Sequence, residues 1–423
     1  MKPLAAAGTA LFLSLSLSLG FFSLWPAALA GAAESSTTVR TSAPNTDDCP
    51  RQLTPPEPVT TSEALRPGQA APTPLPATQT SRCGVDVPPG FDVRPDVVAS
   101  AWIVVDIDSG DIIAQKDPHG RYRPASIIKV LLALEAIDNL DLQQRVRATA
   151  ADAGVQGSAV GLGEDGEYTV EQLLQGLILA SGNDAARTLA GQLGGDAATL
   201  EKVNARARAL GARDTYAASY SGLDAPGMST SVTDMALIYQ AAFRNPTFAR
   251  IANTESVPFP GYQDRPGYQL WNDNGLFMND PDGIGGKTGF TDDANHTFVG
   301  ALDRGGRRLL AVLLDTTVDH GTRAWQQAQA LLHEAYDTPG TVGSLAGAAA
   351  TPTSTSSAPT SAAPSTAPRS STPPSGVSPT TVPVDATPHA AASASTPPWV
   401  GWLVVALVAL LALSVASFSL LRR

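Results

Sequence analysis

Ala101-Trp-Ile-Val-Val-Asp-Ile-Asp-Ser-Gly-Asp-Ile-Ile-Ala-Gln115 and, after a short connection, Ser126-Ile-Ile-Lys-Val-Leu-Leu-Ala-Leu134 set the architecture of this chain. The first stretch is two β-branched runs around the turn Asp108-Ser-Gly-Asp111, which predicts a hairpin. In the second, Ile127, Ile128, Val130, Leu131, Leu132, Leu134 and Ile137 ring the helix axis, which predicts a helix buried nearly all round. Downstream, Thr169-Val-Glu-Gln172 reads as a capping box opening a helix through Leu173, Leu174, Leu177 and Ile178. That helix should break at Ser181-Gly182-Asn183, with Asp184 capping the next one through Leu189 and Leu193. Residues 196–212 and 232–244 read as further helices. Ile284–Thr291, His296–Asp303 and Arg308–Asp315 read as strands, and Thr322–Tyr336 as a closing helix. The order of hairpin, helical block, three strands and helix implies an α+β fold: an antiparallel five-stranded sheet with helices on both faces and an inserted helical block.

The remainder of the 423 residues divides by composition. Residues 1–33, apolar after Lys2 and ending in Ala28-Leu29-Ala30 and small residues, read as a secretory signal. Residues 34–88 are rich in Pro and Thr and contain both cysteines, Cys49 and Cys83, which in a secreted chain read as one disulfide. Residues 89–342 form the folded domain. Residues 343–398 are almost wholly Ala, Ser, Thr, Pro and Gly, too poor in apolar surface to offset ordering entropy, and read as an extended stalk. Trp399–Leu421 carries no charge and is long enough to cross a hydrocarbon layer of about 30 Å. The Arg422-Arg423 end then reads as cytoplasmic by the positive-inside bias. The net charge of −11, without a basic patch, argues against a nucleic-acid partner.

Three motifs carry the chemistry. The chain has five lysines, and two stand in Ser126-Ile-Ile-Lys129 and Lys287-Thr-Gly289; none of its histidines has a triad-like or metal-binding setting. Ser126 and Lys129 lie at i and i+3 and share a helix face. A serine hydroxyl needs a neighbouring base, and lysine serves only if its ammonium is disfavoured by about three pKa units. Burial and the field of the helix N-terminus both act in that direction. Ser181-Gly182-Asn183 supplies a second hydroxyl to pass a proton between Lys129 and a leaving amine. Asn183 could orient a substrate carbonyl and also donate to Lys129. Bare glycines at 285 and 286 let a peptide lie along a strand edge, with Lys287 and Thr288 facing its carboxylate or carbonyl.

Each motif alone has an ordinary reading: a surface Ser/Lys pair, a helix–helix turn, a strand end. Gly286-Lys287-Thr288 also matches the end of a phosphate-binding loop, but Pro281 stands where that loop requires glycine and the context is a strand. Together and in this order, the three are specific.

The constellation resembles the penicillin-binding and serine β-lactamase superfamily, and its wider wording resembles the serine D-alanyl-D-alanine carboxypeptidases. The matching words are Pro124-Ala-Ser126-Ile-Ile-Lys129, Ser181-Gly-Asn183-Asp-Ala-Ala186, Ser221-Gly-Leu-Asp224 and Gly283-Ile-Gly-Gly-Lys287-Thr-Gly-Phe-Thr291. The resemblance implies attack by Ser126 on the bond between two D-alanines of a peptidoglycan stem peptide, and inhibition by β-lactams. It places the oxyanion hole at the N–H groups of Ser126 and Phe290, with Thr288, Gly289 and Phe290 against the substrate and Arg323 supporting its carboxylate. It implies no metal and no organic cofactor. An endopeptidase would use the same site, and a non-catalytic wall-sensing module remains a rival. A β-lactamase needs a Glu-x-x-x-Asn deacylating loop, which neither Glu201 nor Glu255 provides. Members often carry a second β-rich domain, for which the stalk leaves no room here.

Overall fold

The structure, a computed structural model, describes residues 40–78, 82–318 and 321–346. The signal at 1–33, nearly all of the stalk, the helix at 399–421 and the Arg pair lie outside the described residues. Among the described residues no helix is long and apolar enough to cross a membrane.

The hairpin forms as strands β1 (Ala101–Asp106) and β2 (Asp111–Lys116). A 3₁₀ turn at Ala125–Ile128 leads into helix α1 (Lys129–Asn139), in which every residue from Lys129 to Ala136 is buried. The helical block continues with α2 (Val170–Leu179), α3 (Asn183–Gln192), α4 (Asp196–Ala209) and α5 (Val232–Arg244). Strands β3 (Gly283–Thr291), β4 (Asn295–Arg304) and β5 (Arg307–Thr316) and helix α6 (Ala324–Asp337) complete the domain.

The sheet runs β2-β1-β5-β4-β3, all antiparallel, and is seven-stranded rather than five. Val85–Asp86 and Gly343–Ser344 each pair with one end of β2. Two-residue strands are too short for alternation to reveal, yet they cover the edge that β2 would otherwise expose. Alternation along the central strands divides two cores. Ile103, Val105, Leu310 and Val312 face the helical block, whereas Trp102, Val104, Leu309 and Ala311 face α6.

Thr169 and Gln172 exchange both capping-box bonds at the start of α2. Asp184 departs from its expected capping role: Gly182 is the N-cap of α3. The Asp184 carboxylate instead accepts from the backbone N–H groups of Val160, Gly161 and Leu162, at 3.0, 2.8 and 2.9 Å, and ties that loop beside the helix. Sequence periodicity also passed over a short helix at Pro246–Ala252, the hairpin Ser256–Phe259 with Tyr268–Trp271, and a helical turn at Gly275–Asn279.

Candidate active site

Ser126 sits on the 3₁₀ turn, whose shape is held from several sides. Ala125 before it has φ 47°, a left-handed conformation that costs a non-glycine residue about 1 kcal/mol or more. Thr297 Oγ1 donates to the Pro124 carbonyl at 2.8 Å, and the buried Tyr239 hydroxyl donates to the Ile127 carbonyl at 2.8 Å. Gly222, at φ 84°, packs so closely that a Cβ there would stand 2.0 Å from the Ala125 oxygen. Gly289 of β3 also comes close, and a Cβ there would stand 2.9 Å from the Ser126 nitrogen.

Lys129 is 1% exposed. Its Nζ donates to Ser126 Oγ at 2.7 Å and to the Ser221 carbonyl at 2.5 Å. Burial holds its pKa well below the ordinary lysine range, and the positive charge of Lys287 adds to that, against opposing attraction from Asp273 and Asp184. A neutral amine 2.7 Å from a hydroxyl is a base in position to take its proton.

Lys287 is buried on β3, and its Nζ donates to the Thr288 carbonyl at 2.9 Å and lies 3.4 Å from Thr288 Oγ1. Burial lowers its pKa too, opposed by Asp273. Thr288 Oγ1 donates to Asp273 at 2.9 Å. Phe290 is half exposed, its ring 4.7 Å from that of His296 on β4.

In the second motif, Ser181 is buried at the break between α2 and α3 with φ 61°. Asn183 differs from expectation: its amide donates at 2.7 Å to the Gln156 carbonyl rather than to Lys129, whose amine is itself the donor to Ser126 and Ser221. Among the described residues Asn183 Oδ1 is buried and finds no hydrogen-bond partner, an acceptor left open. Arg323 is exposed at the N-cap of α6, where its backbone N–H donates to Gln326 at 2.8 Å. Among the described residues it makes no hydrogen bond to a motif side chain. Cys49 and Cys83 are joined by a disulfide. Among the described residues no group of three or more His, Cys, Asp or Glu side chains could hold a metal ion.

Two participants have weak sequence signals. The Ser221 carbonyl is a backbone acceptor, visible only as part of the Ser221-Gly-Leu-Asp224 word. Asp273 belongs to no motif and reaches the site through the fold.

Comparison with known proteins agrees with this geometry. The sequence profile of the D-alanyl-D-alanine carboxypeptidases of peptidase family S11 matches residues 91–318. The chain is 46% identical over 250 residues to D-alanyl-D-alanine carboxypeptidase DacB2 of Mycobacterium tuberculosis, covering 58% of this chain and 85% of that protein. It is 28% identical over 221 residues to DacF of Bacillus subtilis, of which it spans 57%. The crystal structure of D-alanyl-D-alanine carboxypeptidase from M. tuberculosis superposes with a TM-score of 0.58 at 43% identity, covering 61% of this chain and 99% of that one. The Streptomyces K15 DD-transpeptidase superposes at 0.55 with 25% identity, covering 58% and 100%.

Proposed function

The chain belongs to the D-alanyl-D-alanine carboxypeptidase family of serine peptidases, and on that premise we propose how its own residues carry the reaction. Neutral Lys129 takes the Ser126 proton as Oγ attacks the carbonyl between the last two D-alanines of a peptidoglycan stem peptide. The developing oxyanion meets the N–H groups of Ser126 and Phe290, donors fixed before the charge appears. Ser181 returns the proton to the leaving amine, so that free D-alanine departs. Water then enters, gives its proton to Lys129 and cleaves the ester, regenerating Ser126. Lys287 and Thr288 read the substrate carboxylate, Gly289 lets the peptide lie against β3, and Asn183 orients the carbonyl before the scissile bond. Arg323, at the head of α6, lends longer-range positive charge to the carboxylate. A β-lactam, whose strained amide stands where the D-alanyl bond would, acylates Ser126 and is released slowly.

The same proposal puts the catalytic domain outside the cell, exported by residues 1–33 and tethered by residues 399–421. The apolar composition of the two ends supports it.

The 2.7 Å approach of a buried Lys129 amine to Ser126 Oγ is the observation that carries the mechanism. Release of D-alanine from a peptide ending Lys-D-Ala-D-Ala, measured on the full-length chain beside Ser126→Ala, tests it. The expected outcome is release by the wild type and none above background in the variant. Release that persists in Ser126→Ala would remove the nucleophile assignment.

A further inference from the structure

Residues 40–78, outside the region matched by the family profile, lie over the domain as a strap. The strap contributes no side chain to either core cluster, and Leu53, Val59 and Leu65 point outward. A cavity of about 510 Å³ opens between its prolines and Tyr216 and Met228. Burial of apolar surface therefore does not explain why it lies there. Its attachments are polar and fall at particular points.

One set converges on Asp293, in the turn after β3. Val59 N–H and Thr60 N–H donate to Oδ1 at 2.7 and 2.8 Å, and the Thr60 and Ser62 hydroxyls donate to Oδ2 at 2.6 and 2.5 Å. Burial alone would raise the Asp293 pKa. The Ser62 and Thr60 donors outweigh it, and the carboxyl sits below the ordinary range. The second set falls on the buried Arg123, just ahead of Ser126. Arg123 donates to Glu63 at 2.5 Å and to the Pro56 carbonyl at 2.6 Å, and reaches the Asp293 carbonyl at 3.4 Å. The two clamped points flank the two backbone donors of the oxyanion hole: Arg123 precedes Ser126, and Asp293 follows Phe290. Those donors belong to different elements, the 3₁₀ turn and β3, which meet through bare backbone at Gly289.

We infer that strap residues 56–63 are a positioning element for the oxyanion hole, with Thr60 and Ser62 acting through Asp293, and Glu63 and Pro56 through Arg123, to fix the spacing of the Ser126 and Phe290 N–H groups. The inference rests on the oxyanion-hole assignment above. It predicts loss in the rate of acylation rather than in substrate binding, because among the described residues the strap makes no hydrogen bond to Lys129, Lys287 or Thr288. The Cys49–Cys83 disulfide closes the strap into a loop across this clamp.

The test uses the full-length chain carrying Thr60→Val with Ser62→Ala. It reads the second-order rate of acylation by a fluorescent penicillin, together with kcat and KM for D-alanine release. Acylation rate and kcat should fall about tenfold, a fraction of the 10²–10³ that follows outright loss of one such donor. KM should stay within twofold and the acid limb of the pH profile should not move. Thr60→Ser, which keeps the donor, should behave as wild type. An unchanged acylation rate, or a loss confined to KM, would overturn the inference. If the double variant shows no cooperative melt, Ser62→Ala alone decides, a two- to threefold fall supporting the inference and no fall overturning it. A wild type that is acylated but releases no D-alanine would defeat the carboxypeptidase mechanism and leave the strap to be judged on acylation. A wild type that penicillin never acylates would overturn both.

Discussion

The catalytic cleft and the strap are both polar assemblies on the outside of apolar cores, and they are held in opposite ways. The cleft gathers features that oppose folding: two buried lysine amines, left-handed backbone at Ala125 and Ser181, and an Asn183 oxygen without a hydrogen bond among the described residues. Each costs of order 1 kcal/mol or more and persists because the surroundings over-determine it. The strap gathers matched pairs. Arg40 meets Asp315, Lys116 reaches the Pro44 carbonyl at 2.7 Å, Thr78 meets Asp214, and Ser62 meets Asp293. The cleft's strained groups sit where bonds are made and broken, whereas these strap contacts are complementary pairs.

The largest effect that would break this comparison lies at Lys129. Lys129→Met keeps the volume and removes the amine. The acylation rate should fall about 10³-fold, within the range for loss of a positioned general base. Stability should rise. The unfolded chain holds the lysine proton up to its ordinary value of 10.5, whereas the folded chain releases it at much lower pH. The folding penalty is thus absent above 10.5 and grows as pH falls until the folded-state pKa is reached. Tm at pH 7 should increase by roughly 2–4 °C, and by less at pH 10. A variant both inactive and less stable would show that the cleft is not strained by this amine.

A smaller effect, with two signs, separates the charges around that amine. Acylation needs neutral Lys129, so the rate is lost as pH falls through its pKa. Lys287 pushes that pKa down and Asp273 pulls it up. Lys287→Ala should therefore move the acid limb of the acylation profile to higher pH. Asp273→Asn, which can still accept from Thr288, should move it to lower pH. Limbs that do not move would mean that burial alone sets the amine, and limbs moving the same way would overturn the opposed roles given to Lys287 and Asp273.

Legibility in the sequence followed the same division. Ser126 with Lys129, Ser181 with Asn183, and Lys287 with Thr288 and Gly289 stand out in the sequence because each set keeps a short fixed spacing within its own local segment, and the β-branched runs at 101–107 and 112–115 announced the hairpin. Asp273 was not readable, since its approach to Thr288 depends on how a connection between a hairpin and a helical turn is folded. Asp184 was misjudged because local capping rules cannot see that three N–H groups from residues 160–162 converge on it. The strap was legible only as composition. Pro and Thr predict an extended chain without specifying which side chains of the domain it will meet.

The smallest expected effect distinguishes the parts of the strap from one another. Arg40 donates through Nη2 to both oxygens of Asp315, at 2.9 and 2.8 Å, and through Nη1 to the Asp315 carbonyl at 2.6 Å and to Ser100 Oγ at 3.0 Å. Asp315 has φ 51° and lies where the β4–β5 register shifts, so the guanidinium braces an irregular strand end. Arg40→Ala leaves the carboxylate with Ser100 and Asn295 as donors. It should therefore cost only about 1.5–2 kcal/mol, the low end for hydrogen bonds to a charged group. By thermal melting Tm should drop roughly 3–8 °C. Acylation should stay within twofold, because Arg40 touches neither Asp293 nor Arg123. An acylation loss as large as that of Thr60→Val with Ser62→Ala would mean that the strap acts through its attachment as a whole. Lost stability with intact acylation would instead confine the catalytic contribution to residues 56–63.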